Sequence, residues 1–186
     1  MPRNRLWIKK ELRVLGVIQV MNSMFINMLG VLWRFFFLSQ LTVLSTIYIP
    51  LALLLGYPFW SPFWYLVSGV LAILAERRRT RFMMSYLIIM NSFSSCLAVL
   101  GLLLLSVELG AATFSFKAPI WQMTCKGKKR TFSFWIQRSA KMLSEYLFLF
   151  TALQLFVASV ATRWAVQAKR SRFIQERSSR LYRTSR

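Results

Sequence analysis

Histidine and aspartate are absent from this sequence, glutamate supplies all 5 acidic residues, and only 2 cysteines occur. Those absences exclude several function classes at once. A metal centre has almost no histidine, cysteine and carboxylate ligands to draw on, and general acid–base catalysis lacks its commonest group. No catalytic, cofactor-binding or metal-ligating constellation stands out, so the sequence implies a non-enzymatic chain without a cofactor. A disulfide framework is excluded as well, since two cysteines permit a single bond. Charge of either sign is missing from long stretches, yet Lys and Arg together number 25, for a formal net charge of +20.

What is present is apolar. Hydrophobic residues make up 56% of the 186 residues, more than one soluble core of this size would bury. The basic balance alone would suggest a nucleic-acid partner, but the cations fall in short blocks between apolar runs, which is not the footprint of a nucleic-acid module. The implied partner is the lipid bilayer. The organising stretch is Tyr57–Arg81. Its uncharged part, Tyr57–Ala75, is about 19 residues long, enough to cross a hydrocarbon core of about 30 Å at 1.5 Å per helical residue. Tyr57, Phe59, Trp60 and Phe63 crowd its start, as expected at a lipid–water interface. Glu76 and then Arg77, Arg78, Arg79 and Arg81 close it with a basic stop of cytoplasmic type.

The neighbouring runs alternate around this one. The chain therefore reads as an all-α membrane protein with four transmembrane helices and both termini cytoplasmic. A basic N-terminus (1–13) precedes a first span at 14–37, which has neither the short apolar core nor the cleavage site of a signal peptide. A short outer loop (38–56) leads to the second span (57–75), and the basic cytoplasmic loop 76–81 to the third (82–107). A larger outer loop (108–143), a fourth span (144–163) and a basic tail (164–186) complete the chain. The loop 38–56 is uncharged, and Leu51–Leu55 within it suits an extension of the second span as well as a segment dipping into the membrane. The outer loop 108–143 carries basic residues against the positive-inside trend, but most of the 25 cations lie on the cytoplasmic side of this scheme.

Within the spans, three kinds of residue stand out. Ser68, Ala72 and Ala75, with Gly69 beside them, and Ser94, Ala98 and Gly101 recur at helical spacing, so each set forms a small-residue stripe that lets helices approach. Gln19, Asn22, Asn27 and Asn91 are intramembrane amides, suited to interhelical hydrogen bonds or, on a sharper reading, to a conduction path. Gln19 and Asn22 share a helix face, with Asn27 off to its side. Cys96 reads as a small packing residue. Outside the spans, Arg77, Arg78, Arg79, Arg81, Lys169, Arg170 and Arg172 form the basic cytoplasmic face, with the tail attracted to an anionic inner leaflet. Arg170-Ser171-Arg172 also resembles an arginine-based endoplasmic reticulum retention signal. Cys125, alone in the outer loop, is free or forms an intermolecular disulfide.

Four stretches then carry a resemblance. LGVIQVMNSMF (Leu15–Phe25), IYIP ahead of GYPFW (Ile47–Trp60), YLVSGVLAILAE (Tyr65–Glu76) and IMNSFSSCLAVLGLLLLSVEL (Ile89–Leu109) resemble the membrane-spanning four-domain subfamily A. That family includes a B-lymphocyte surface antigen and the beta subunit of the high-affinity IgE receptor. The resemblance implies four spans with cytoplasmic ends, homo-oligomers or hetero-oligomers with related four-span proteins or receptor subunits, and work within cell-surface receptor complexes in signal transduction. It favours the plasma membrane over the endoplasmic reticulum. The alternatives are an ion channel or transport subunit, and an intracellular trafficking or lipid-organising protein. The chain departs from the family pattern in having only Cys125 in the large loop, Ser61-Pro62 where Gly-Gly is frequent, and Tyr182 as the sole tail tyrosine.

The topology is checked by tag accessibility in intact cells. Tags at Met1 and Arg186 are expected to be protected from outside reagents and a tag beside Lys128 to be accessible; a protected Lys128 tag removes one of the four crossings.

Overall fold

The structure is a computed structural model that describes residues 3–43, 51–77, 80–117 and 128–184. Among these residues every regular element is helical: α1 (Arg3–Val43), α2 (Leu51–Leu54), α3 (Tyr57–Arg77), α4 (Arg81–Lys117) and α5 (Lys128–Thr184). Four of them contain stretches long and apolar enough to cross a membrane, Glu11–Ser39, Tyr57–Ala75, Phe82–Ala111 and Lys141–Ser171. The fourth stretch is thus longer than its short uncharged run implies, because the helix continues through the flanking charges. Charged residues are compatible with helix wherever their heads reach water, so hydropathy marks the crossing and not the helix ends.

The four long helices close a ring in which α1 packs on α3 and α5, and α4 packs on α3 and α5. Along the ring axis the interior has three layers. Leu12, Ala72, Ala75, Met84, Leu87 and Ala165 cluster at the end from which both chain termini leave. An amide layer follows. Ile26, Trp33, Tyr57, Tyr65, Leu97, Leu105 and Leu147 fill the half nearest the far end. Outside the ring, Phe25 stacks on Phe150 and Trp64 meets Phe93 edge-on, tying α1 to α5 and α3 to α4. Large apolar side chains cover the outer surface, Met28, Phe82, Leu103 and Phe156 among them. An apolar exterior of this extent is what lipid requires and what a water-soluble monomer avoids.

Close approach explains the small residues. A Cβ built on Gly16 would lie 2.8 Å from the Gly69 carbonyl oxygen, and one on Gly69 would lie 2.8 Å from that of Gly16. The α1 and α3 backbones therefore cross in direct contact, which only glycine on both sides allows. Ser68, Gly69, Ala72 and Ala75 are all buried, as are Ser94, Ala98 and Gly101. Gly101 is the notch into which the Tyr57 phenol is inserted. Cys96 does not join this packing; it is exposed on the outer face of α4.

Local signals set the junctions. The short α2 covers Leu51–Leu54, so this run neither prolongs α3 nor forms a long buried segment; Gly56, with φ of 65°, turns the chain between them. The Trp60 indole donates to the Leu55 carbonyl at 3.1 Å and closes that turn. At the start of α4, Thr80 caps the helix, its hydroxyl accepting from the Met83 amide at 3.4 Å. Pro62 lies inside α3 and Ser61 donates its hydroxyl to the Tyr57 carbonyl at 2.6 Å.

Gly101→Ala is expected to lower thermal stability in detergent by about 1–3 kcal/mol, because the added methyl occupies the place of the Tyr57 ring. Val99→Leu, on the exposed side of α4, is expected to leave it within about 0.5 kcal/mol. Equal melting temperatures for the two variants would show that the notch does not hold the ring.

Candidate functional site: the polar centre of the bundle

A helix in lipid can bury a polar side chain only against another polar group, because no water is present to receive it. The four long helices meet this requirement together. Gln19 of α1 donates through Nε2 to Asn91 Oδ1 of α4 at 2.8 Å, across a diagonal of the ring. Its Oε1 accepts from the Ser68 hydroxyl of α3 at 3.4 Å. Asn22, one turn further along α1, donates through Nδ2 to Gln154 Oε1 at 2.9 Å and to the Phe150 carbonyl at 3.0 Å, both on α5. Gln154 in turn donates to Ser94 Oγ of α4 at 3.4 Å. Asn91 spends its Nδ2 donor on the Leu87 carbonyl of its own helix at 3.1 Å.

The orientation of each amide is fixed by this chain of bonds. Turning Asn22 over would aim its oxygen at the Phe150 carbonyl and at Gln154 Oε1, two acceptors with nothing to donate. In the orientation it holds, Asn22 Oδ1 is buried and has no hydrogen-bond partner. Nearer the far end a second polar set follows. The Tyr57 and Tyr65 hydroxyls lie 2.9 Å apart, and Tyr57 also donates to Thr151 Oγ1 at 3.5 Å. At that end the Glu108 carboxylate is buried; it accepts from the Ala52 amide of α2 at 3.3 Å and from the Ser144 hydroxyl at 3.4 Å.

Of the amides singled out in the sequence, the structure joins Gln19, Asn22 and Asn91 and separates Asn27 from them. Asn27 is exposed on the outer face of α1, close to the midpoint of the membrane-capable stretch, and makes no side-chain hydrogen bond among the described residues. Gln154, Thr151, Tyr65 and Glu108 were missed by sequence reasoning. For Gln154 a signal existed, as the lone amide in the fourth apolar run; for the tyrosines none did, since an aromatic at a span end suits the interface equally well. Tyr57 is the correction: it is fully buried in the bundle, while Trp60 and Phe63 of the same cluster remain exposed.

The basic residues have a different distribution. Arg77 ends α3 and Arg81 begins α4, whereas Arg78 and Arg79 lie outside the described residues, as does Cys125. Lys169, Arg170 and Arg172 belong to α5, which runs on to Thr184 as one helix. Lys169 donates to Ser85 Oγ of α4 at 3.0 Å.

Chemically this centre is a set of amides and hydroxyls that bond mainly to one another, with Asn22 Oδ1 the buried exception. Its hydrogen bonds join α1 to α3, α4 and α5, so its geometry serves to hold the helices in register. Breaking a pair should therefore act on stability. Gln19→Leu is expected to destabilise the folded bundle by about 1–2 kcal/mol, in line with interhelical hydrogen bonds in lipid. Asn27→Leu is expected to cost nothing, because its amide bonds to no partner among the described residues. Thermal or denaturant unfolding in micelles distinguishes them, and a Gln19→Leu, Asn91→Leu double-mutant cycle with no coupling would contradict the pairing.

Residues 14–164 match the model of the CD20-like family. The chain is 31% identical over 163 residues to human membrane-spanning 4-domains subfamily A member 12, covering 86% of this chain and 54% of that protein. It is 30% identical over 95 residues to human B-lymphocyte antigen CD20, covering 51% of this chain and 29% of that protein. Mouse membrane-spanning 4-domains subfamily A member 3 is 33% identical over 109 residues, 57% of this chain and 49% of that one. The chain thus spans about half or less of the length of these relatives. A family model matched across all four apolar helices, together with the helical ring itself, establishes that the chain is a multi-pass membrane protein belonging to the CD20-like family.

Proposed function

We propose that this chain is a non-enzymatic, oligomerising component of a multimeric receptor complex, with both termini in the cytoplasm and residence at the plasma membrane. The observation that carries the oligomeric part is Asn27. An amide exposed near the middle of a bilayer-crossing helix is costly against lipid and is satisfied by another helix. Around it, Val17, Met21, Met24, Met28, Val31 and Phe35 are exposed at alternating steps of four and three residues along α1. That spacing is the seam of a paired helix, and Met28 at 64% exposure and Phe35 at 66% stand well clear of the bundle. The occupant we assign is α1 of a second copy, with Asn27 flanking the seam and within reach of the partner helix.

The receptor role rests on family membership and on the resemblance described above. The filled centre supports a structural role over conduction: Ile26, Tyr57, Tyr65, Leu105 and Leu147 are all fully buried, so the axis of a single chain is occupied by side chains.

Chemical cross-linking in native membranes tests the assembly. Asn27→Leu is expected to lower the cross-linked dimer yield about fivefold, in keeping with loss of one to two interhelical hydrogen bonds; Val99→Leu is expected to leave it unchanged. Undiminished dimer in Asn27→Leu would refute the α1 seam. Pull-down of the intact chain in mild detergent then reads the company it keeps: related four-span proteins or receptor subunits support the receptor reading, and a chain recovered only with itself contradicts it.

A further inference from the structure

Among the described residues, Asn22 Oδ1 is the buried side-chain atom without a hydrogen-bond partner. Asn22 is 4% exposed and belongs to the amide layer, so this oxygen is shut off from the surface of the bundle. Lipid could not serve it in any case, because hydrocarbon has no donor to give. The two N–H groups of Asn22 are both spent on α5, on Gln154 Oε1 at 2.9 Å and on the Phe150 carbonyl at 3.0 Å. The side chain therefore cannot turn over to relieve its oxygen.

The layer around this acceptor has donors to spare. A primary amide carries two N–H groups. Gln19 Nε2 spends one on Asn91 Oδ1 and Gln154 Nε2 spends one on Ser94 Oγ, and neither makes a second bond among the described residues. The Ser94 hydroxyl accepts from Gln154 and donates to nothing among the described residues. Gln154 draws acceptor and donors together: its oxygen takes a bond from Asn22, and the nitrogen of the same amide gives one to Ser94. Gln19 lies three residues before Asn22 on the same face of α1. An unused acceptor and unused hydrogens thus share one level of the bundle without bonding to one another.

The packing leaves room beside them. Ser68 of α3 and Ser94 and Ala98 of α4 are fully buried here, and they are among the smallest side chains a helix can present. The amide pairs of the layer are tight, 2.8 Å for Gln19–Asn91 and 2.9 Å for Asn22–Gln154. The serine contacts are stretched, 3.4 Å both for Ser68 to Gln19 and for Gln154 to Ser94, against a usual length of about 2.9 Å. A layer with tight amides and stretched serines is propped open on its serine side.

We infer that the amide layer is a binding site for one water molecule, which donates to Asn22 Oδ1 and accepts from the Ser94 hydroxyl, with the unspent N–H of Gln19 or Gln154 as its second donor. Water is the ligand class because it is small and both gives and takes hydrogen bonds, as buried water does with about two to four partners. A cation needs several oxygens turned toward it, whereas here a single free oxygen is surrounded by donors that repel positive charge. An anion would suit the donors but leave Asn22 Oδ1 unserved, and it would bury a charge with no counter-charge. The water joins α1 to α4 through Ser94, beside the direct Gln19–Asn91 bond. The site is complete within one chain and does not depend on the oligomeric and receptor readings above.

The test uses the unmodified full chain, so no variant has to fold. A crystal structure from a lipidic mesophase, at a resolution that shows ordered water, is expected to place one water about 2.7–3.0 Å from Asn22 Oδ1 and within hydrogen-bond reach of Ser94 Oγ. A direct Ser94–Asn22 bond, or Asn22 Oδ1 with no density beside it, overturns the site. A density ringed by several oxygens at about 2.4 Å marks a cation and overturns the water assignment. Nuclear magnetic resonance of the chain in nanodiscs, with isotope-labelled asparagine, gives an independent reading. Direct cross-relaxation with water is expected at the Asn22 side-chain amide protons and none at Asn27, which is exposed on the outer face of α1. No cross-peak at Asn22 overturns the site. Cross-peaks of equal strength at Asn22 and Asn27 would come from water entering the membrane generally and overturn it as well.

Discussion

The bundle depends on one constraint: between helices in lipid, burying apolar surface gains almost nothing, since lipid tails are as apolar as leucine. What remains to hold four helices together is direct packing and hydrogen bonding, and this protein concentrates both at its centre. The Gln19–Asn91 bond and the Asn22–Gln154 bond engage α1 with both α4 and α5. A slip of one turn along α1, about 5.4 Å, would break them all and leave several amides unpaired in hydrocarbon. The network therefore specifies register, while the Gly16–Gly69 crossing specifies how close α1 and α3 lie. Neither could do the other's work. Amides tolerate a small change in helix separation, and glycines tolerate a slide.

The same division explains the two halves of the interior. Toward the chain ends the helices are separated by alanines and modest aliphatics, Ala72, Ala75 and Ala165 with Leu12 and Leu87. Toward the far end the interior is wide enough for Trp33, Tyr57 and Tyr65. Tyr57 adapts to both demands, with its ring in the Gly101 notch and its hydroxyl between Tyr65 and Thr151. Glu108 performs a comparable task at the far rim. A buried carboxylate is costly unless it accepts hydrogen bonds, and the Ala52 amide it accepts belongs to the first turn of the short α2, which has no long helix of its own to anchor it. One acidic side chain thereby ties the α1–α3 connection to α4 and, through Ser144, to α5.

How much of this was legible in the sequence follows from which rules lipid imposes. The four crossings were readable because uninterrupted apolar length is a requirement without substitutes. The stripes Ser68–Ala72–Ala75 and Ser94–Ala98–Gly101 were readable as packing surfaces, since small residues at helical spacing have few other uses. Their partners were not: periodicity gives a face, and only the fold tells which helix fills it. The offset of Asn27 from Gln19 and Asn22 was visible in helical angle, but whether it pointed to lipid depended on where α4 and α5 stand. Tyr57 misled because the YPFW cluster satisfies two rules, interface and core, and the deciding fact is the missing side chain at Gly101, 44 positions away in the chain. Helix length misled for a simpler reason, as the charges around Lys141 and Arg163 end an apolar run without ending a helix.

A bundle whose interior polar groups are almost fully spent on one another can act on its surroundings only through its surface. That surface is uniform over most of its area, apolar side chains against lipid, and uniform surfaces confer no specificity. The exceptions are therefore where specificity has to lie. Asn27 is one, an amide on a methionine-lined face where lipid offers no partner. The end of the bundle beyond the alanine-rich plug is the other, where Lys169 of α5 donates to Ser85 of α4 at 3.0 Å. The two stand at different depths on one bundle. A contact along the length of α1 leaves the α4–α5 seam uncovered, since α1 packs on α3 and α5 and not along that seam.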